Sequence, residues 1–198
     1  MNSFISGRRS IRKYKSTPVK RELIEAVLEA GLLAPSSKNR QPWKFIVVSG
    51  QAKCDLLNAM RSGLNREKNG EALLPGSRQY LNGAEHTLEI MLQAPVVIFV
   101  MNPMGLNLNQ TLSPEERIYE ICNAQSIGAA IENMTLAATE LGLGSLWICD
   151  TYFAYQELQS CLKTEGELFA AMTLGYADEA PQQRPRKTFS DAVEWRLA

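Results

Sequence analysis

The sequence predicts an α+β fold in which a central sheet carries helices on its faces. Helical and strand-like patterns alternate along the 198 residues. The longest apolar run, at 94–101, has the length of a buried strand and is too short to cross a bilayer, which needs about 20 residues. The composition, with 45% hydrophobic and 21% charged residues, is typical of one globular core. We therefore expect a single domain over residues 1–198.

The first predicted helix begins after Thr17, which would cap it, with Pro18 in the first helical position. Apolar residues then recur at helical spacing from Leu23 onward. This helix should end before Pro35, because proline cannot continue a helix.

The remaining elements follow from apolar periodicity and from the placement of glycine and proline. Strands are predicted at 44–50, 95–101, 144–150 and 169–178, and helices at 51–64, 84–93, 115–141 and 155–162. Residues 65–83 form a polar excursion that we predict to be mobile, and 102–113 form a polar loop. From Glu179 onward, prolines and basic residues predict an extended arm over 179–198.

The helix at 115–141 carries small or apolar residues on most of its sides. Such a helix is packed on most sides, so we expect it both at the centre of the domain and in a subunit interface. A helix used only in the core is the alternative.

The charge of the chain is balanced, with 21 basic and 21 acidic residues. This balance gives no general reason to expect binding to nucleic acid or to a membrane. The first 21 residues nevertheless hold seven basic side chains and no acidic one. That local excess predicts a site for one anion.

The cysteine and histidine content limits the possible chemistry. The four cysteines form no C-x-x-C pair and His86 is the single histidine, which argues against a metal site. Scattered thiols in apolar contexts predict reduced, buried cysteines and a cytoplasmic protein, and the N-terminus lacks the apolar run of a signal peptide. Because no catalytic acid, base or nucleophile stands out, we assign no catalytic residue and expect a cofactor to carry any reaction.

Four segments are more polar than a loop between two elements requires, so they are candidates for a binding site. The "RRSIRKY" stretch offers guanidinium forks and a hydroxyl suited to a phosphate, although a solvated basic arm is the alternative. The proline-braced "PSSKNRQPW" stretch (35–43) suits the edges of a planar heterocycle or a ribityl chain, although it could be an ordinary loop. Gly142 can end the helix in a left-handed conformation, and Gly144 allows close approach to the backbone. The basic "RPRK" stretch (184–187) could return to the same phosphate.

The order of these motifs resembles the nitroreductase-like flavoprotein family. The resemblance rests on Arg8-Arg9-Ser10-Ile11-Arg12, on P-S-S-x-N-x-Q-P-W from residue 35, on the segment 126–148 and on the late "PR-K" arm. It spans about residues 5 to 195 and is weakest at 60–115. It implies a sandwich with a central mixed, mainly antiparallel sheet flanked by helices, and an extended C-terminal arm.

The resemblance also implies a homodimer with one FMN per subunit at the interface, reduced by NADH or NADPH. By motif match, the residues expected to bind FMN are Arg8, Arg9, Ser10 and Arg12 at the phosphate and ribityl end, Arg184 and Arg186 at the phosphate, Pro35, Ser36, Ser37, Asn39 and Gln41 from the partner subunit, and Gly144, Ser145 and Leu146 near the isoalloxazine ring.

The reaction implied is ping-pong hydride transfer to nitroaromatic, quinone or similar electron-poor acceptors. One alternative keeps the fold with a specialised flavin reaction of deiodinase, flavin-fragmenting or dehydropeptide-oxidase type. Another is a non-catalytic flavin-binding dimer or a basic-armed nucleic-acid module, although a single phosphate explains a local basic patch better than a nucleic-acid backbone does.

Overall fold

At the centre of the computed structural model, which describes residues 3–197, lies a four-stranded antiparallel sheet. Its strands are β1 (Lys44–Val48), β2 (Val96–Asn102), β3 (Gly144–Ile148) and β4 (Glu167–Gly175). They lie in the order β1-β2-β4-β3, and each neighbouring pair is antiparallel. All four predicted strands are therefore present, with their ends displaced by a few residues.

Helices cover both faces of the sheet, so the predicted α+β architecture is confirmed. The helices are α1 (Ser3–Gly7), α2 (Arg21–Leu32), α3 (Gly50–Lys68), α4 (Leu81–Gln93), α5 (Pro114–Glu140), α6 (Tyr155–Leu162) and α7 (Phe189–Ala192). Short 3-10 helices lie at Ser37–Asn39, Pro75–Tyr80 and Asp150–Ala154.

Strand β2 shows how the core is divided, because all of its residues are buried. Successive side chains of a strand point to opposite faces. Val96 and Ile98 accordingly pack with α2 and α5 on one face. Val97 and Phe99 pack with α3, α4 and α6 on the other. An apolar strand without alternation, such as the run at 94–101, is the pattern expected when both faces are covered.

The N-terminal segment around Ser10 is hydrogen-bonded to β3, an edge strand of this sheet. Ser10 forms a parallel bridge with Ser145, and the Ile11 N–H donates to the Ser145 carbonyl at 2.9 Å. The buried Tyr14 hydroxyl donates to the Ile11 carbonyl at 2.9 Å and lies 2.8 Å from the Thr173 hydroxyl. Burial raises the pKa of Tyr14, which keeps its hydroxyl protonated as a donor.

The predicted start of the first long helix is wrong. Helix α2 begins at Arg21 with Lys20 as its N-cap, instead of following Thr17. The reason is long-range pairing, because the Lys15 N–H donates to the Tyr176 carbonyl at 2.9 Å and holds the preceding chain extended. A local capping signal cannot compete with that contact.

Helix α5 begins with a capping box between Ser113 and Glu116. Its second half is core, with Ile127, Ile131 and Met134 fully buried, which confirms the predicted central position. Its first half leaves large apolar side chains uncovered in the single chain. The predicted role in a subunit interface stays a prediction.

The polar segment 65–83 contains more helix than expected, because α3 continues to Lys68 and α4 begins at Leu81. Its polar groups bond both within the segment and to Glu85 and Glu157 outside it. The buried Glu67 carboxylate accepts the Leu73 N–H at 2.7 Å and pairs with Arg66 at 2.8 Å. The mobility of this segment stays a prediction.

The chain after Glu179 forms an arm without strands, and residues 182–197 are exposed. The prediction of buried cysteines is wrong, since Cys54 and Cys149 are exposed and Cys122 and Cys161 half-buried, all as free thiols. No helix among residues 3–197 is both long and apolar enough to cross a membrane.

Candidate functional site

A polar cleft of about 580 Å³ lies between the two ends of the chain. It is lined by Ile5, Ser6, Arg8, Arg9, Ser10, Arg12, Glu132, Pro181, Gln182, Gln183, Arg184 and Arg186. The structure therefore brings the predicted N-terminal residues and the two predicted C-terminal arginines to one cavity. We call it the arginine cleft.

Two features hold the N-terminal side of the cleft in place. The first is the bridge to β3, where Ile11 packs directly on Gly144: a Cβ at Gly144 would lie 2.8 Å from Ile11 Cγ1. The second is Glu179, whose carboxylate accepts the N–H of Arg12 and, at 3.1 Å, that of Lys13. Glu179 thus joins the root of the C-terminal arm to the arginine motif.

The charges around the cleft are mostly positive. Five guanidinium groups face one carboxylate, that of Glu132 on α5, whose Oε1 lies 3.4 Å from Arg8 Nε. The other oxygen of Glu132 accepts from the Thr135 hydroxyl at 3.0 Å, which fixes its position. A cleft with this excess of positive charge attracts an anion.

Three of the other four guanidinium groups, those of Arg9, Arg12 and Arg186, bond to nearby backbone carbonyls. Arg9 donates to the carbonyls of Ser6 and Arg8 at 2.8 Å, and Arg12 donates to that of Ser10 at 3.2 Å. Arg186 donates to the Arg184 carbonyl at 3.1 Å. Neutral acceptors leave these charges uncompensated, so a doubly charged anion would be strongly favoured.

A second hollow of about 370 Å³ adjoins the arginine cleft and shares Arg9 and Pro181 with it. Gly142 and Gly144 form part of its wall. Ser145 and Leu146 follow in β3 and are buried. Gly142 and Gly144 therefore lie beside the predicted phosphate segment, whereas Ser145 and Leu146 line neither hollow.

The loop with Pro35, Ser36, Ser37, Asn39 and Gln41 lies elsewhere, and none of these five residues lines either hollow. Its backbone is unusual, with positive φ angles of 53° at Asn39 and 51° at Gln41. Such angles in residues other than glycine persist only where the surroundings hold them, and they are common at ligand sites.

Local contacts hold this loop against α5. The Gln41 N–H donates to the Ser36 hydroxyl at 3.0 Å, and the Ser37 N–H donates to the Ser126 hydroxyl on α5 at 3.2 Å. The Arg40 guanidinium stacks 4.2 Å from the centre of the Tyr119 ring. The loop is thus shaped in advance, on a part of the chain separate from the arginine cleft.

Sequence reasoning missed Glu132 and Glu179, which organise the cleft. Neither residue belongs to a motif, and each contacts the arginines only through the tertiary fold. The two glutamines at 182 and 183 were also missed, although they stand beside the predicted Arg184. No group of three or more metal-ligating side chains gathers within the described residues.

The fold and cleft define an α+β protein with an anion-attracting depression at one end of an antiparallel sheet. Comparison with known proteins places it further: the chain belongs to the Nitroreductase family, whose sequence model matches residues 5–176.

Individual relatives agree with this family. The chain is 27% identical over 194 residues to the "Putative NAD(P)H nitroreductase YfhC" of Bacillus subtilis (strain 168), covering 96% of this chain and 91% of that protein. It is 30% identical over 152 residues to the 5,6-dimethylbenzimidazole synthase of Rhodospirillum rubrum, covering 75% of this chain and 68% of the synthase.

Solved structures share the fold over nearly the whole chain. A BluB-like flavoprotein from Clostridium difficile 630 superposes with a TM-score of 0.81 at 26% identity, covering 98% of both chains. A "putative nitroreductase in complex with fmn" from Desulfovibrio desulfuricans superposes with a TM-score of 0.71 at 25% identity, covering 99% of this chain and 96% of that one.

Proposed function

We propose that this protein is an FMN-dependent oxidoreductase that takes hydride from NADH or NADPH and reduces nitroaromatic, quinone or similar electron-poor acceptors. The observation that carries the proposal is the arginine cleft, where basic residues from both ends of the chain line one cavity of about 580 Å³. Family membership and the FMN complex of the Desulfovibrio relative support the choice of anion.

The residues of the cleft fit a flavin phosphate. Guanidinium forks bind phosphate oxygens in bidentate fashion, and Ser10 adds a short hydroxyl donor. Arg12 on one side and Arg186 on the other would share one phosphomonoester. Glu132 would orient Arg8 and offset part of the positive charge of the cleft, and a phosphate would offset more of it.

The adjoining hollow fits the rest of the molecule. The backbone of Gly144, Ser145 and Leu146 would lie along the isoalloxazine ring, with Gly144 in the wall of the hollow and the other two residues next to it in β3. Ile11 fills the space that a Cβ at Gly144 would need, so this space is not free for the ring. When bound, FMN would supply the hydride chemistry itself. The chain's own residues would bind and orient it, and protons would come from solvent because no acid or base stands out.

We further propose that the active form is a cytoplasmic homodimer in which Pro35, Ser36, Ser37, Asn39 and Gln41 close the partner's cleft. The support is that this loop is held in shape yet lies away from its own arginine cleft. Exposed apolar side chains near this loop agree with a subunit interface, since Leu33 is 82% exposed and Ile118 on α5 is 58% exposed.

A mixing experiment tests the shared pocket. Arg8→Ala and Asn39→Ala should each weaken FMN binding in homodimers. A mixture of the two variants, after subunit exchange, should regain some sites of full affinity, because one site of each heterodimer would contain both native residues. A mixture no better than its components would refute the shared pocket.

The reaction is tested under anaerobic conditions. Purified protein should bind FMN and be yellow, and NADH or NADPH should bleach it. An electron-poor acceptor should then restore the colour with the flavin intact. A colourless protein that refuses added FMN would refute the proposal, and bleaching by neither nicotinamide would favour a non-catalytic flavin-binding dimer.

A second candidate is a flavin-fragmenting reaction, favoured by the resemblance to 5,6-dimethylbenzimidazole synthase and to the BluB-like flavoprotein. The two functions separate when reduced enzyme meets air. An oxidoreductase returns its FMN unchanged, whereas a flavin-fragmenting enzyme consumes FMN and releases 5,6-dimethylbenzimidazole. Mass spectrometry of the released small molecules distinguishes these outcomes.

A further inference from the structure

A cavity of about 350 Å³ lies at the opposite end of the sheet from the arginine cleft. At this end β2 finishes and β4 begins, with Asn102 paired to Glu167, whereas Ser145 beside the cleft pairs with Leu174. Seven residues of β4 separate the two places, which is about 23 Å at the rise of a strand. The cavity is thus distinct from the proposed phosphate site, and its volume is typical of small-molecule pockets.

The walls of this cavity are largely apolar. The loop after β2 provides Leu106, Leu108 and Leu112, and α5 and β4 provide Ile121 and Phe169. These side chains form a lining suited to a compact hydrocarbon or aromatic body.

Three residues of the lining carry buried oxygen atoms with no hydrogen-bond partner. They are Oε1 of Glu120, the hydroxyl of Tyr155 and Oε2 of Glu167. Tyr155 is only 5% exposed, so water does not replace the missing partner freely. An unpartnered buried acceptor is costly and rare in native proteins, and three around one cavity point to a ligand that donates to them.

The charged forms of the Glu120 and Glu167 carboxyl groups are disfavoured in this cavity. Burial raises the pKa of Glu120, against the opposing effect of the Leu106 N–H and the Asn123 side chain. Burial, and then the charge of Glu120, raise the pKa of Glu167. Neither carboxylate has an ion pair within the described residues, although the exposed Arg117 also lines the cavity. A cation between them would relieve both effects.

The polar end of the cavity is held rigidly. Gly166 has a φ of +88° and packs so closely that a Cβ there would lie 2.4 Å from the Asn102 carbonyl oxygen. Gln159 donates to the Gly166 carbonyl and accepts the Leu168 N–H at 3.1 Å. Glu167, which lies between these two residues, is therefore positioned before any ligand arrives, which lowers the entropic cost of binding.

We propose that this cavity binds a small primary ammonium compound with a compact apolar body, of the arylalkylamine class. An ammonium group carries three N–H donors, which matches the three unpartnered oxygens of Glu120, Tyr155 and Glu167. The apolar body would occupy the leucine-rich part of the cavity.

Calorimetric titration of the FMN-loaded protein tests this site with three probes of similar shape. Phenethylammonium should bind at least about tenfold more tightly than neutral 2-phenylethanol, because charge-assisted hydrogen bonds to carboxylates are the stronger ones. The anion 3-phenylpropionate should not bind. Equal affinity for the amine and the alcohol, or no amine binding, would overturn the proposal.

Variants locate the binding. Glu167→Gln should weaken amine binding about tenfold, whereas Glu165→Gln, which changes an exposed residue outside the lining, should not. Ala124→Leu should block the cavity without touching a carboxylate, and thermal melting checks that each variant is folded. Unchanged binding in both Glu167→Gln and Ala124→Leu would refute the site.

A final control separates this site from the flavin site. Arg12→Ala should weaken FMN binding yet leave amine binding unchanged, because about 23 Å of β4 separates the cavity from the arginine cleft of the same subunit. Amine binding that disappears together with FMN would place the ligand at the flavin and overturn the proposal.

Discussion

Glu179 offers the sharpest test of how the arginine cleft is built. Its carboxylate accepts the N–H of Arg12 and of Lys13, so Glu179→Ala removes the joint between the two ends of the chain. Hydrogen bonds to a charged group contribute about 1.5–3 kcal/mol each when shielded. The hydrogen bond to Arg12 is partly buried and the one to Lys13 is exposed. We therefore expect Glu179→Ala to remove about 2 kcal/mol of the interaction free energy between the two ends of the chain, mostly through the Arg12 bond.

This loss should appear as weaker FMN binding, by about 30-fold if the cleft must close on the phosphate. The direction of the change in FMN affinity distinguishes this positioning role from a purely electrostatic one. Simple electrostatics predicts the opposite, since removing a negative charge near five arginines should strengthen binding of an anion.

Equilibrium dialysis or fluorescence quenching of FMN measures the effect. Asp178→Ala is the matched control, because it removes the same charge one residue earlier from an exposed side chain. FMN binding to Glu179→Ala that equals or exceeds that of the native protein would refute the positioning role of Glu179.

Three further predictions concern stability and the cleft. Glu67→Ala should lower the free energy of unfolding in denaturant by about 3 kcal/mol, because Arg66 and the Leu73 N–H lose a buried carboxylate partner. The same measurement on Glu71→Ala, at an exposed residue, should show little change. Gly144→Ala should lower the free energy of unfolding by about 1–3 kcal/mol through overpacking against Ile11, and in thermal melts it should lower stability less when Ile11→Ala, which removes Cγ1 and Cγ2, is already present. Arg8→Ala should weaken FMN retention far more than it lowers the melting temperature of the apoprotein, since partly exposed charges contribute little to folding; equal losses would indicate a structural role.

The sequence predicted the elements that depend on local pattern. Strand β2 is an apolar run, and α5 carries small and apolar residues on most of its sides, so their positions were predicted closely. The start of α2 was not, because its position depends on pairing between Lys15 and Tyr176. Local signals cannot report a contact between residues so far apart in the chain.

The candidate site likewise contains residues that local sequence patterns predict and residues that they do not. Arginine clusters at residues 8–12 and 184–186 are visible as composition, and the structure brings them to one cleft. Glu132 and Glu179 look like ordinary surface acids in the sequence, and their role exists only in three dimensions. The cavity lined by Glu120 and Glu167 could not be predicted for the same reason, since the two residues lie on a helix and a strand that meet only after folding.

The central claim is that guanidinium groups from both ends of the chain bind one flavin phosphate. Riboflavin, which lacks the phosphate, tests it most directly. Arg12→Ala and Arg186→Ala should each weaken binding of FMN by about tenfold or more and leave binding of riboflavin nearly unchanged. Equal losses for FMN and riboflavin, or no loss for FMN in either variant, would contradict the account.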